Sequence, residues 1–196
     1  MEKILNYING KLVEPISKKY IDNYNPSTGV VYSLIPDSDK SDIDNAVKAA
    51  KIAFLKWSKT PKQERSDILM KLADTIEKYS DELVKAESKD NGKPESLAAR
   101  VDIPRAPANI RFFAGAILHD RSHVHEMDGM ALNYTLREPL GVAACISPWN
   151  LPLYLLTWKI APALASGNTV VAKPSEVTPM TAYLLSKICI EAGIPK

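Results

Sequence analysis

Asn150 is the residue whose side chain and position in the sequence best suit a role in a chemical reaction. It follows the wholly apolar run Gly141–Ile146 and lies between Trp149 and Pro152, a proline that suits the first turn of a helix. A side-chain amide held at such a strand-to-helix junction can donate a hydrogen bond to an oxygen that develops negative charge. The alternative is a turn asparagine that only starts the helix.

A second polar cluster follows the apolar run Thr169–Ala172. Lys173 can donate hydrogen bonds and Glu176 can accept them, with Ser175 close by. If the run is a parallel strand, this loop lies just beyond its carboxyl end, the edge at which doubly wound sheets bind ligands. The alternative is an exposed ion pair, which contributes little stability.

The elements that position these residues begin with an N-terminal β segment. It is the first part of residues 1–128, which are predicted to form strands followed by helices. Asn9-Gly10, between two short β-prone runs, is typical of a hairpin turn, and Val30–Ile35 has the composition of a strand. From residue 41 the apolar residues recur at helical spacing, which predicts helices for the rest of this part.

Two of these helices have recognisable boundaries. One is predicted to begin at Thr60, as an N-cap before Pro61, and to continue to Gly92. A further helical stretch covers residues 94–118, where Pro104 and a second proline at 107 are expected to kink or interrupt it.

The second half predicts a parallel sheet. Residues 129–139 contain a strand over Ala131–Glu138, and residues 140–196 read as strand, helix, strand and helix. This order is typical of a doubly wound α/β fold with a parallel sheet. The last residues, Glu191–Lys196, are typical of a helix end that leads into another strand, so we expect the sheet to be incomplete here.

Composition narrows the class of protein and its compartment. The formal net charge is +2 and no long run of like charge occurs, which argues against a nucleic-acid partner. The first residues lack the pattern of a signal peptide, and the apolar stretch Leu151–Ala165 is broken by prolines and a lysine, so no membrane association is expected. Cys145 and Cys189 stand among apolar residues, which favours free thiols in a reducing compartment, and we expect a cytoplasmic protein.

A metal site finds little support in this sequence. The three histidines cluster near Asp120, but no second group of ligands accompanies them, and the segment is typical of a surface loop. The histidines are His119, His123 and His125. No metal is therefore expected.

Several segments, in their order and spacing, resemble the aldehyde dehydrogenase family. The main ones are Ile146–Leu153 (ISPWNLPL), Lys159–Val171 (KIAPALASGNTVV) and Lys173–Glu176 (KPSE). Since Asn25–Gly29, Trp57 and Asp90–Pro94 also stand where the family has such segments, the resemblance covers essentially the whole chain. Within the family, Ile146–Leu156 and Asp102–Ala106 are most similar to the 2-aminomuconate and 2-hydroxymuconate semialdehyde dehydrogenases.

The resemblance implies an oxidoreductase that uses NAD(P)+, with Asn150 holding the oxyanion. It also implies a cofactor channel lined by Ile146, Ser147, Pro148 and Trp149, and a ribose site formed by Lys173, Ser175 and Glu176. For Trp149 taken alone, a plain core aromatic fits nearly as well. NAD is favoured over NADP, because a carboxylate beside the ribose would repel a 2′-phosphate. The usual G-x-G-x-x-G fingerprint is absent, as the family uses a different glycine pair further downstream.

Arg105 is the candidate for substrate binding. In the family the helix after the Asp90–Pro94 segment contributes to an otherwise apolar substrate tunnel, where an arginine would suit a substrate carboxylate. An exposed helical arginine fits the pattern equally well, and Arg111 is the other candidate. Asp90 could contribute to a monovalent cation site, as in some relatives.

The family reaction also needs a nucleophilic cysteine and a glutamate that the resemblance places downstream. Cys145 and Cys189 lack the glycine-flanked motif of that cysteine, so we expect this chain to be the N-terminal portion of the enzyme and inactive alone. Residues 129–139 would belong to an oligomerisation segment of a homodimer or homotetramer. The alternative is a non-catalytic cofactor-binding or interaction module derived from the family.

Overall fold

The computed structural model describes residues 1–196 and begins with a small β segment. A three-stranded sheet has the order β1-β5-β4, in which β1 runs parallel and β4 antiparallel to β5, and β2 and β3 form a separate hairpin. At the hairpin turn Asn9 and Gly10 adopt φ of 53° and 72°, which confirms the prediction. The strands are β1 (Glu2–Lys3), β2 (Asn6–Ile8), β3 (Lys11–Val13), β4 (Tyr20–Asn25) and β5 (Val30–Pro36).

Helices follow, and the first has a complete N-terminal cap. The side chains of Asp39 and Asp42 each accept a hydrogen bond from the backbone of the first turn of α1. The predicted single helix from Thr60 to Gly92 is wrong, because the backbone leaves the helical conformation at Tyr79. The helices of this part are α1 (Lys40–Trp57), α2 (Lys62–Lys78), α3 (Ser80–Asn91), α4 (Glu95–Leu97) and α5 (Ile103–Ala116).

The predicted cap of α2 is also wrong. The Thr60 hydroxyl donates to the carbonyl of Lys56 in the preceding helix, and Pro61 stands at the N-cap position. The break at Tyr79 left no sign in the apolar pattern, because Ile76 and Leu83, both fully buried, keep helical spacing across it.

The prolines of residues 94–118 do not break a helix. Pro104 occupies the first turn of α5, where a missing N–H costs little, and Pro107 lies inside the helix. The irregularity comes earlier, as a π-helical turn over Ala98–Asp102. Such wide turns are frequent at functional sites.

An exposed hairpin leads from α5 to the second half. Its antiparallel strands are β6 (Val124–Met127) and β7 (Ala131–Tyr134), so β7 is shorter than the predicted strand over Ala131–Glu138. The predicted surface loop is wrong at His125, which lies on β6. Asp128 and Gly129, with φ of 43° and 73°, form the turn that pairs the strands.

The second half has the predicted α/β order of strand, helix, strand and helix. Strands β8 and β9 pair in parallel, with Val142 opposite Thr169 and Ile146 opposite Lys173. Both strands are only partly buried, and Pro179 stands at the N-cap position of the last helix. The elements are β8 (Val142–Ile146), α6 (Pro152–Ala165), β9 (Thr169–Lys173) and α7 (Met180–Ala192).

The helices α2, α3, α5, α6 and α7 share one apolar core, in which Leu69, Leu72, Ile110 and Leu153 are almost completely buried. Its burial supplies the main free energy that holds the strand-to-helix junctions in place. None of the helices is both long and apolar enough to cross a membrane.

Candidate functional site

The two polar segments singled out in the sequence meet at one edge of the parallel sheet. The backbone N–H of Ser147 donates to the carbonyl of Lys173 at 3.1 Å, directly beyond the register pair Ile146 and Lys173. The loops that follow β8 and β9 therefore leave the carboxyl ends of neighbouring parallel strands, the position at which α/β sheets bind ligands.

The end of β8 and most of the loop that follows it present their side chains to the outside. Ile146 is 67% exposed and Trp149 60% exposed, and Pro148 and Asn150 are exposed as well. Trp149 is therefore not a core aromatic. Ser147 is buried, with a hydroxyl that has no hydrogen-bond partner. The exposed side chains remain free to contact a ligand.

An ion pair joins the last residue of β9 to the loop that follows it. Lys173 Nζ lies 2.7 Å from a carboxylate oxygen of Glu176, and both side chains are largely exposed. The hydrogen bond from Lys173 lowers the pKa of Glu176, so the carboxylate is ionised at neutral pH. Ser175 is buried, and its hydroxyl accepts a 3.4 Å hydrogen bond from the amide of Val177. The loop thus offers one cation and one anion side by side.

Two side chains, at the end of α3 and just beyond it, hold the backbone of the Asn150 loop. Asn91 Nδ2 donates to the carbonyl of Trp149 at 2.9 Å, and Lys93 Nζ donates to the carbonyl of Asn150 at 3.2 Å. Gly92, with φ of 80°, ends α3 and turns the chain between them. Sequence reasoning missed both residues, although the segment was recognised, because nothing local shows what a side chain reaches.

Asp90 lies in the same segment but faces the opposite way, into the protein. Its carboxylate accepts hydrogen bonds from Asn23, from the Tyr32 hydroxyl and from the backbone N–H of Met180. Burial raises the pKa of Asp90, although these donors oppose the effect. In this structure Asp90 ties the N-terminal sheet to the start of α7.

The two candidate arginines differ in what they contact. Arg105 is exposed, forms no ion pair and lies with its guanidinium 5.7 Å from the centre of the Tyr154 ring on α6. Arg111 is bound in ion pairs with Glu77 and Asp74 of α2. Only Arg105 therefore has a guanidinium free to bind a ligand carboxylate.

Neither cysteine is set up as a nucleophile. Cys145 lies within β8, buried, and desolvation raises the pKa of its thiol. Cys189 lies on α7, and burial raises the pKa of its thiol to about 12. A reactive cysteine needs the opposite shift, since the thiolate is the nucleophile.

The histidines stand apart from this edge of the sheet. His125 lies on the exposed hairpin, where a ring nitrogen lies 3.2 Å from the side-chain nitrogen of Asn133. No group of three or more histidine, cysteine, aspartate or glutamate side chains is arranged to hold a metal ion.

Comparison with known proteins agrees with this architecture. The model of the aldehyde dehydrogenase family matches residues 12–196, and the chain belongs to that family. The 2-aminomuconic semialdehyde dehydrogenase of Bos taurus is 55% identical over 97% of this chain and 39% of its own length. The 2-hydroxymuconic semialdehyde dehydrogenase of Pseudomonas sp. (strain CF600) is 44% identical over 100% of this chain and 41% of its own length.

The fold has the same relatives. The NAD+ complex of aldehyde dehydrogenase from Bacillus cereus superposes with a TM-score of 0.96 at 40% identity, covering 99% of this chain and 40% of that one. The chain thus spans about two fifths of the length of the relatives it matches.

Proposed function

We propose that residues 1–196 are part of an enzyme that oxidises an aldehyde to a carboxylic acid with NAD+. In this proposal they supply the donor that stabilises the oxyanion and the site that binds the ribose of NAD+. The observation that carries this proposal is the hydrogen bond between Ser147 and Lys173, which places both polar loops at one sheet edge. Membership of the aldehyde dehydrogenase family supports the same reaction.

Asn150 is the proposed catalytic residue. When a thiolate adds to the aldehyde carbonyl, negative charge develops on the oxygen, and a rigidly held amide N–H stabilises it. The main chain of Asn150 is fixed by Lys93, while its side chain is exposed and free to donate. The nucleophile lies outside residues 1–196 in this proposal, because neither cysteine here is activated.

The strand-end loops fit the adenosine ribose of NAD+. Lys173 can donate to one ribose hydroxyl and Glu176 can accept from the other, since the pair already lies within hydrogen-bond distance on an exposed loop. Ser175 would support this loop, and Ile146, Pro148 and Trp149 would line the channel beyond Ser147. When bound, NAD+ supplies the hydride acceptor for the oxidation.

The proposed substrate is a semialdehyde that carries a carboxylate. Arg105 is the free cation beside α6, the helix that begins directly after the Asn150 loop. The relatives of Bos taurus and Pseudomonas are named for 2-aminomuconic and 2-hydroxymuconic semialdehydes, which supports the assignment.

The hairpin of β6 and β7 is the proposed oligomerisation segment. Its apolar side chains are exposed on both strands and beyond, which favours burial against another subunit of a homodimer or homotetramer. These side chains are Val124, Met130, Leu132, Tyr134 and Leu136. The free cysteines accord with the cytoplasm as the proposed location.

The proposal is tested in a full-length enzyme that carries these residues. Replacing Asn150 with alanine should lower kcat by about 10²–10³-fold, the usual effect of losing one oxyanion donor, with the Kd for NAD+ nearly unchanged. Asn45→Ala, at an exposed position of α1, is the matched control. If Asn150→Ala keeps full kcat, Asn150 is not the donor. NAD+ binding without turnover of any aldehyde by the unmodified protein would instead favour a cofactor-binding module.

A further inference from the structure

A buried charged cluster lies directly beneath the Asn150 loop. Lys93 forms ion pairs with Asp102 in the π-helical turn and with Glu87 on α3, where Nζ lies 3.6 Å from a carboxylate oxygen. The three side chains are 9%, 2% and 0% exposed. Burying these charges carries a desolvation cost that their mutual attraction must offset, so the loss of one partner would leave an uncompensated buried charge.

The cluster extends to the loop through one hydrogen bond. Lys93 Nζ, already held by Asp102, also donates to the carbonyl of Asn150 at 3.2 Å. An ammonium has three donors, so it can bind both carboxylates and the carbonyl together. Lys93 therefore connects the π-helical turn and α3 to the residue at the strand-to-helix junction.

We infer that Lys93 is a positioning residue, which fixes the backbone of Asn150 so that its side-chain amide points at the reacting oxygen. The inference rests on the proposed function, since it assigns Lys93 to the oxyanion donor of that same site. Asn91, which holds the carbonyl of Trp149, supports the preceding residue of the loop in the same way.

The surroundings of Glu87 show why the cluster depends on Lys93. The groups that face its carboxylate are Lys93, Asp102, the backbone N–H of Leu153 on α6 and the Thr181 hydroxyl on α7. Neither oxygen of Glu87 has a hydrogen bond of good geometry, and burial raises its pKa to about 7. Lys93 is the only cation among these groups, and its removal would leave two buried acids without a counter-ion.

The test is a double-mutant cycle in the full-length enzyme. Lys93→Met should lower kcat by about 10²-fold, because a misplacement of about 1 Å has that effect on a reacting geometry. The double variant Lys93→Met/Asn150→Ala should lose no more than Asn150→Ala alone, since Lys93 acts only through Asn150. Lys93→Arg, which keeps a cation, should recover most of the loss.

Folding is controlled separately. If Lys93→Met proves unstable, the variant Lys93→Met/Asp102→Asn, which removes one charge of each sign, replaces it and should show the same loss of kcat. Lys85→Met, on the exposed face of α3, is the matched control. If the losses of kcat in Lys93→Met and Asn150→Ala multiply in the double variant, the inference is overturned and the proposed function is not. Full kcat in the folded Lys93→Met variants has the same consequence. Full kcat in Asn150→Ala overturns the proposed function and the inference with it.

Discussion

The backbone N–H of Ser147 donates a 3.1 Å hydrogen bond to the carbonyl of Lys173. This bond extends the ladder between β8 and β9 by one residue past the last register pair. The loop with Asn150 and the loop with Glu176 therefore begin next to each other at the carboxyl edge of the two strands. This edge is where ligands bind in an open α/β sheet.

We expect the full-length enzyme to prefer NAD+ over NADP+. A 2′-phosphate would lie beside the ionised carboxylate of Glu176, whose pKa is lowered by Lys173, and like charges repel. Glu176→Gln should therefore raise the kcat/KM for NADP+ relative to NAD+ by about tenfold, equivalent to about 1.4 kcal/mol. Glu82→Gln, exposed on α3, is the control. A wild-type preference for NADP+ would show that Glu176 does not face the ribose.

We expect Arg105 to recognise an acidic substrate. Replacing it with alanine should weaken the binding of a carboxylate-bearing aldehyde by about 1.5–3 kcal/mol, as for a hydrogen bond to a charged group, and should raise KM accordingly. A neutral aliphatic aldehyde should be almost unaffected. Arg111→Ala is the comparison, because that guanidinium is bound to α2. Equal losses on both aldehydes would contradict the carboxylate role.

Residues 1–196, produced by themselves, should show no aldehyde dehydrogenase turnover. Oxyanion stabilisation and cofactor contacts do not replace a nucleophile, and burial raises the thiol pKa of both Cys145 and Cys189. The measurement is NADH formation across a panel of aldehydes, after the mass has been confirmed. Activity that survives Cys145→Ala and Cys189→Ala, yet disappears with Asn150→Ala, would reveal a different nucleophile and refute this expectation.

Glu87 should make stability depend on pH. Its pKa rises from 4.5 to about 7 in the folded state, chiefly through desolvation, so the folded protein binds this proton more tightly than the unfolded chain. The contribution of Glu87 to the free energy of unfolding is therefore fully present below about pH 4.5 and is lost as the pH rises to about 7. The loss amounts to at most about 3 kcal/mol.

The check is the urea midpoint of unfolding at pH 5 and pH 8. The Glu87→Gln variant should lose less stability between these values than the wild type, since an amide does not titrate. Asp90, whose pKa is also raised, contributes equally to both proteins and cancels in the difference. Glu82→Gln should behave as the wild type, and identical pH dependence in all three proteins would show that Glu87 does not titrate there.

The sequence by itself determined the class of fold and the identity of the segments that carry the site. Apolar runs followed by Asn150 and by Lys173 to Glu176 predicted parallel strands with polar loops, and the structure has strands at both places. Strand composition and turn residues act locally, within a few positions, which is why such patterns can be read along the chain. The break at Tyr79 was missed because apolar spacing continues through it.

Only the tertiary structure decided which side chains reach one another. It distinguished Arg105 from Arg111 by placing acids of α2 beside Arg111. It also exposed Trp149, for which a core position, taken alone, fitted the sequence nearly as well. It also brought Lys93 to Asn150 and Asn91 to Trp149. These contacts join residues far apart in the chain, and they depend on how α3, α5 and α6 pack around a shared core, which no local pattern encodes.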